Sequence, residues 1–438
     1  MKASGYAAFS KDGIMALPRN LTPKILTQLK RHEIVFLLGT RQTGKTTLTR
    51  LVADGSEYGA DTIFFFDLED KAYRSLFDTV SIQLLKNIFK LEGINIDQPA
   101  LLIFDEIQLL EDPANLLKLL HDHFPKFRII ATGSSSLRIK HKFSDSLSGR
   151  KRVFNVEPLN FDEFLVFKNE GQLIKIRSFF NEGGKDAVLP LMKTYHGHFL
   201  QLLDEYLVYG GYPEVVLTDG KRAKVEKLDS IASAYIQKDI REFGRIDNID
   251  GYNNLLKYVS VNLGAQFNLT SAQSTIGLSA QTVKKYLSLL QETFIIKELP
   301  PYFVNKNKEI SKTRKIFFKD TGIRNLQIKN FHDLDMRPDI GALYENYVFN
   351  VLDQEKDILT TNYFYRTQAK TEIDFVVCRE HDVRLVEVKA GTFNRPVKAM
   401  KEFEKKYRKT GGQIKKLVVN KSHIDETPDF VYVPAYLL

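Results

Sequence analysis

Apolar and polar positions alternate along this chain with two different periods. Short, almost unbroken apolar runs at Ile34-Val35-Phe36-Leu37-Leu38, Leu101-Leu102-Ile103-Phe104 and Arg128-Ile129-Ile130-Ala131-Thr132 read as strands covered on both faces. The aromatic run Phe64-Phe65-Phe66-Asp67 is expected to be another buried strand, next to the loop that follows Leu38. In the middle of the chain the period lengthens. Residues 228–243 place Ile231, Ala234, Tyr235 and Ile240 among charges, the pattern of an amphipathic helix, and short helices are predicted over 252–263, 270–276 and 279–293. Ser279 is a good N-cap, with Val283, Leu287 and Leu290 on one apolar face. A β-type run, 294–299, then stops at Pro300-Pro301. Toward the C-terminus a helix over 341–349 precedes two alternating strands, 371–378 and 383–389, whose short polar link predicts a hairpin; a helix over 396–408 follows.

Composition narrows the class. At 438 residues, with 43% apolar, 27% charged and 11% aromatic positions, the chain is long enough for two to four folding units and is neither disordered nor low-complexity. The single cysteine, Cys378, excludes an internal disulfide and, expected to be buried in a strand, is no nucleophile. The pairs His121/His123 and His196/His198 resemble metal ligands only on paper, because residues two apart on a helix do not share a face. They are expected to be surface histidines. The start lacks a signal-peptide pattern and no apolar run reaches the length of a membrane span, so a cytoplasmic protein with no membrane partner is expected. A net charge of +9 is compatible with a polyanionic partner without requiring one.

The first strand runs straight into Gly39-Thr40-Arg41-Gln42-Thr43-Gly44-Lys45-Thr46, followed by the helix-like stretch from Thr47 to Val52. This is GxxxxGK[ST] between a strand and a helix. Glycines let backbone N–H groups curl round phosphate oxygens, Lys45 reaches the β- and γ-phosphates, and the Thr46 hydroxyl ligates Mg²⁺. The second strand ends in Asp105-Glu106. If it runs parallel beside the phosphate loop, Asp105 can hold the metal through water and Glu106 can orient or deprotonate the attacking water. The third strand ends in Gly133-Ser134-Ser135-Ser136, where hydroxyls can sense a γ-phosphate.

In the order of these segments the chain resembles the AAA+ ATPases, particularly those carrying a C-terminal DUF4143 domain. The resemblance rests further on Ser148-Gly149-Arg150, on Pro158-Leu159-Asn160-Phe161-Asp162-Glu163-Phe164 and on Tyr209-Gly210-Gly211-Tyr212-Pro213-Glu214, and it covers nearly the whole chain. It implies that Arg150 contacts the γ-phosphate, within the subunit or across an interface, and that Pro213 lines the adenine pocket at the start of a helical lid.

Helix, turn, helix and a β-type run between 249 and 310 is the order of a winged helix, with 279–290 as recognition helix; the resemblance implies the same module. Such modules bind DNA or pack against protein. Lys306, Lys308, Lys312, Arg314, Lys315 and Lys319 follow, opposed within that span only by Glu309, a strip suited to a phosphate backbone. In the C-terminal hairpin Asp374, Glu387 and Lys389 form D-x₁₂-E-x-K, the sequence form of a PD-(D/E)xK nuclease site. Glu387 and Lys389, two apart on a strand, share a face, and Glu345 in the preceding helix is available as a fourth group. Asp374, Glu387 and Glu345 are the expected ligands of Mg²⁺, and Lys389 orients the water. The resemblance retains the helix glutamate, but Ile373 stands where the pattern has proline.

The expected architecture is α/β: a P-loop AAA+ parallel-sheet core (18–167), a helical lid (198–248), a winged-helix module (249–310) and a restriction-endonuclease-like α/β domain (311–438), with 168–198 as an insertion. The expected cofactors are ATP and Mg²⁺. DNA is the expected partner, and a homo-oligomer or a protein partner fits as well. A nucleotide-switched regulator with an inert nuclease-like fold is the alternative.

Overall fold

The computed structural model describes residues 8–9, 15–134, 147–183, 185–235, 246, 248–303, 309, 312–407 and 412–438. Ser135, Ser136, Lys306 and Lys308 lie outside these, as does the end of the amphipathic helix beyond Tyr235. The chain divides into two compact units, one drawn from Met1–Leu159, Ser230–Ile246 and Glu292–Phe294, the other from Asn160–Asp229, Asp247–Gln291 and Ile295–Leu438. No described helix is long and apolar enough to cross a membrane.

In the first unit, the two-residue strands β1 (Ala8–Phe9) and β2 (Met15–Ala16) pair antiparallel, apart from the main sheet. That sheet contains β3 (Ile34–Leu38), β4 (Ile63–Asp67), β5 (Ala100–Asp105), β6 (Phe127–Gly133) and β7 (Lys151–Asn155), all parallel, in the order β4-β5-β6-β3-β7. Alternate side chains feed two cores. Val35, Leu37, Leu101, Ile103 and Ile130 pack with Ile25 and Leu29 of helix α1 (Thr22–Leu29) and with Leu48 and Val52 of α2 (Lys45–Asp54). Phe36, Leu102, Phe104 and Ile129 face the other way, onto Phe77 of α3 (Lys71–Phe77), Ile88 of α4 (Ile82–Leu91) and Leu116 and Leu120 of α5 (Pro113–His123). Covering both faces explains why β3, and β5 up to Phe104, are apolar.

β6 lies between the phosphate-loop strand β3 and the acidic strand β5. One expectation is corrected by this strand order. The aromatic strand β4 is at the sheet edge beside β5, not next to β3, and its first three residues are only half-buried. Periodicity identifies strands, but each parallel crossover can carry the chain past an open position that a later strand fills.

The second unit opens with helices α6 (Phe161–Phe167), α7 (Gly171–Asn181), α8 (Lys185–Tyr209), α9 (Pro213–Leu217) and the start of α10 (Lys221–Tyr235), whose residues from Ser230 on belong to the first unit. Asn160 and Glu163 form a capping box at the start of α6. Helices α11 (Ile249–Val261), α12 (Leu269–Ile276) and α13 (Ala280–Glu292) follow, then the antiparallel pair β8 (Ile296–Leu299) and β9 (Lys315–Phe318). The Ser279 hydroxyl accepts from the Thr282 N–H at 3.2 Å, as its N-cap reading requires. After α14 (Thr321–Gln327) and α15 (Ile340–Gln354), strands β10 (Thr360–Arg366), β11 (Glu372–Arg379), β12 (Asp382–Val388), β13 (Ile414–Asn420), β14 (Asp425–Glu426) and β15 (Val431–Pro434) form a mixed sheet in the order β10-β11-β12-β13-β15-β14. Helix α16 (Lys398–Tyr407) buries Met400 and Phe403 in the same core as β11 and β13. β11 and β12 are the expected hairpin, with Cys378 opposite Val383 and Arg379 opposite Asp382. Cys378 is half-buried, not enclosed as expected, and packs against the core that α16 covers.

Candidate nucleotide site and carboxylate cluster

The phosphate loop gets its shape from two residues in the left-handed region, Gln42 (φ 61°) and Gly44 (φ 85°). Gly39 has no room for a side chain, since a Cβ there would collide with the carbonyl of Val156. Arg19, unsuspected from the sequence, clamps this assembly: it donates to the Thr43 carbonyl at 2.8 Å and to the Glu157 carbonyl at 2.8 Å. Thr43 donates to the Thr40 carbonyl at 2.9 Å. The Lys45 ammonium lies along the loop, donating to the carbonyls of Gly39 and Thr40 at 3.1 and 2.9 Å. Gly44 supplies no side-chain cap to α2 and its first turn has no acidic residue, which leaves that helix end suited to an anion. Thr47 is exposed on the first turn, and Arg41 is half-buried beside the loop.

The C-terminal ends of β5 and β6 bring the acidic pair to this loop. Thr46 Oγ1 donates to Asp105 Oδ2 at 2.7 Å, and Thr132, fully buried on β6, donates to Asp105 Oδ1. The intervening strand thus joins the metal-type pair rather than separating it. Glu106 sits in the left-handed region (φ 54°), a conformation costing a non-glycine residue about 1–3 kcal/mol. Its N–H donates to Thr132 Oγ1 at 3.0 Å, while its carboxylate accepts from Gln108 and, at 2.9 Å, from the Ser134 hydroxyl. Gln108 also donates to Ser134 at 3.0 Å. Thr132 and Gln108 were not singled out from the sequence; their only signal is their spacing from strand ends.

Arg150 is not brought to this loop. It precedes β7, whose Lys151 pairs with Ile34 at the start of β3, whereas the phosphate loop follows the end of β3. Five residues at about 3.3 Å each place it roughly 16 Å away along the strand. Its guanidinium forms a two-pronged pair with Asp122, at 2.9 and 3.1 Å, and that hydrogen bond holds Asp122 below the usual carboxylate range. The expectation of a γ-phosphate contact within the subunit is therefore corrected: a parallel strand carries its start and its end to opposite edges of the sheet.

Pro213 opens α9 in the second unit. The conformation of the preceding turn is explained within that unit. Gly210 (φ 78°) would clash through any Cβ with Asp320, whose carboxylate accepts from the N–H groups of Gly211 at 2.7 Å and Ile323 at 2.9 Å. Burial pushes Asp320 up to about 6, against the lowering by those backbone donors.

The carboxylates of the C-terminal motif gather round the β11–β12 hairpin and α15. Asp374 accepts from the Val388 N–H at 2.8 Å, and Lys389 donates to Glu387 Oε1 at 2.6 Å. Glu387 Oε2 is buried without a hydrogen-bond partner. Burial, then the charge of Asp374, pushes Glu387 to about 7; the same two causes bring Glu345 to about 7, and burial also raises Asp374. Burial acts to lower Lys389, but its bond to Glu387 outweighs this and raises it. Two further residues join the cluster. Lys315 contacts Glu345 at 2.7 Å and Glu372 at 2.8 Å. Among the described residues no three His, Cys, Asp or Glu side chains converge closely enough to hold a metal ion as they stand.

The expected basic strip is corrected at three of its positions. Lys315 is 3% exposed, Lys319 is buried against Asp353 at 2.6 Å, and Arg314 pairs with Glu298 at 2.9 Å. The acids that neutralise them lie on β8, β11 and α15, distant in sequence and close in space. The histidines behave as ordinary polar side chains: His196 bonds the Tyr436 hydroxyl at 2.7 Å and His198 contacts Glu170 at 3.0 Å.

Comparison with known proteins agrees with this geometry. Residues 31–165 match an AAA domain, residues 200–333 a domain of unknown function (DUF8612) and residues 340–438 another (DUF4143). An uncharacterized protein of Methanocaldococcus jannaschii is 27% identical over 357 residues, covering 80% of this chain and 73% of its own. An uncharacterized protein of Haemophilus influenzae is 24% identical, covering 83% and 84%. Among solved structures, the Walker-type ATPase of Pyrococcus abyssi aligns over 74% of this chain and 98% of its own, with 14% identity and a TM-score of 0.46. The phosphate loop and acidic strand fall inside the first match and the carboxylate cluster largely inside the last, so the chain carries an AAA-type domain and, at its C-terminal end, a DUF4143 domain.

Proposed function

We propose that this protein binds ATP with Mg²⁺, hydrolyses it, and couples the state of the nucleotide to DNA binding or processing by a winged-helix module and a nuclease-like domain. The observation that carries the reading is the bond between Thr46 and Asp105 at the mouth of the phosphate loop. Both offer hard oxygen donors, the chemistry Mg²⁺ requires, and they would hold it together. Held there, Mg²⁺ would supply the positive charge that neutralises the charge developing on the phosphates. The remaining work falls to the chain. Loop N–H groups and Lys45 bind phosphate, Thr132 fixes the Asp105 carboxylate, and Ser134 and Gln108 aim Glu106 to orient the attacking water. Arg150, at the opposite edge of the sheet from the loop, serves the phosphates of a neighbouring copy.

For DNA, support comes from α13, which buries Val283, Tyr286, Leu287 and Leu290 and exposes Lys284 and Lys285. For the C-terminal domain, the bare buried oxygen of Glu387 and the crowding of Asp374 and Glu345 are the chemistry of a divalent-cation site, with Lys389 to orient a water. ATP turnover by wild type and Lys45→Ala, with metal-dependent nicking of single- and double-stranded DNA with and without ATP, tests the whole. Turnover unaffected by Lys45→Ala contradicts the nucleotide site.

One observation favours a second reading, a nucleotide-switched regulator whose nuclease-like domain is inert: Glu345 is engaged by an ammonium, and no three donors converge among the described residues.

A further inference from the structure

The buried ammonium of Lys315 is what the nucleotide site and the D-x₁₂-E-x-K motif leave unexplained. A lysine at 3% exposure is costly unless carboxylates compensate it, and here two do, Glu345 at 2.7 Å and Glu372 at 2.8 Å. Its ammonium also lies 5.5 Å from the centre of the Phe364 ring, which fixes it from a further side. The geometry is built in. Asn346, next to Glu345 on α15, accepts from the Phe318 N–H and donates to the Phe318 carbonyl, both at 2.8 Å, clamping β9 to the helix and so setting Lys315 against Glu345. On the far side of Glu345, Gly264 leaves room that a Cβ would narrow to 3.3 Å from Glu345 Oε2.

We propose that Lys315 is the internal counterion of this carboxylate cluster, occupying with its ammonium the charge position that a divalent cation would otherwise take at Glu345. This rests on the second reading above, an inert nuclease-like domain, and goes beyond it by naming the residue that keeps the site closed to metal. Lys315 supplies +1 in a region where Glu345, Glu372, Asp374 and Glu387 gather, and it takes the oxygen of Glu345 through which a cation would be held. The domain then has the fold and acidic residues of a metal site with a protein cation in place of the metal.

Mn²⁺ binding to the nucleotide-free full-length protein, followed by the EPR signal of free Mn²⁺, tests this. Lys315→Met is expected to tighten binding about tenfold or more, and Glu387→Gln in that background is expected to reverse the gain. Lys315→Gln, which removes the charge but keeps a polar side chain of similar reach, is expected to show the same gain; this second variant decides the matter should Lys315→Met not fold. A folded Lys315→Met or Lys315→Gln with wild-type affinity overturns the proposal. If wild type already binds Mn²⁺ through Glu387, the counterion proposal fails and the nuclease-type reading stands. If no variant binds Mn²⁺ in a Glu387-dependent way, both fall.

Discussion

Thr46 and Asp105, 59 positions apart, meet through a 2.7 Å hydrogen bond at the C-terminal edge of the parallel sheet. Asp105 has its second oxygen held by Thr132, so both halves of the carboxylate are fixed before any ligand arrives. A pre-positioned acceptor pays no reorganisation when charge appears, which is how electrostatic catalysis gains its strength.

Lys45→Ala is expected to lower ATP turnover by about a hundredfold or more while leaving the thermal midpoint nearly unchanged, because the ammonium's bonds to the Gly39 and Thr40 carbonyls stay within the loop. Phosphate release and a thermal melt measure the two effects separately.

Glu106→Gln preserves the size of the side chain and its contact with Ser134 but removes the charge that orients water. Turnover should fall by about 10²-fold or more with ATP binding retained. Equal losses of binding and turnover would instead mark Glu106 as a structural residue.

Gly210→Ala tests whether the turn before α9 is held for packing. With φ at 78° and Asp320 where a methyl would go, the substitution should destabilise the second unit by about 2 kcal/mol or more. A midpoint equal to wild type would show that Asp320 moves aside at little cost.

Asp320 also predicts a pH dependence. Its folded value of about 6 lies above the ordinary 3.8, so the folded state holds the proton more tightly than the unfolded chain. The associated stability is fully present below about pH 4, is lost as pH rises through about 6, and amounts to about 3 kcal/mol. Subtracting the stability–pH curve of Asp320→Asn from that of wild type should isolate this fall; a flat difference across pH 4–7 rejects it.

Replacing Lys284 and Lys285 together by alanine should weaken DNA binding without unfolding α13, whose buried face is elsewhere. If each contacts one phosphate, the slope of log K against log salt should shrink by about 1.8. An unchanged slope assigns the exposed face of α13 to something other than a phosphate backbone.

Several parts of this protein are legible from residue order alone, because they depend on local chemistry. The apolar runs of β3 and β5, the phosphate loop with its glycines, the β11–β12 hairpin and the Ser279 cap each follow from neighbours within a few positions. What the order of residues could not decide is which distant groups neutralise one another. Lys315 and Lys319 stand among basic residues in the sequence, yet fold against Glu345, Glu372 and Asp353 from other elements. Arg150 follows a family motif, yet a parallel strand carries it to the edge of the sheet opposite the phosphates. The insertion of β6 between β3 and β5, the clamp by Arg19 and the meeting of Thr46 with Asp105 likewise arise only when crossovers set strand order. Backbone periodicity is a local property, whereas charge compensation and strand adjacency depend on long-range closure of the chain, and that is the part the tertiary structure alone decided.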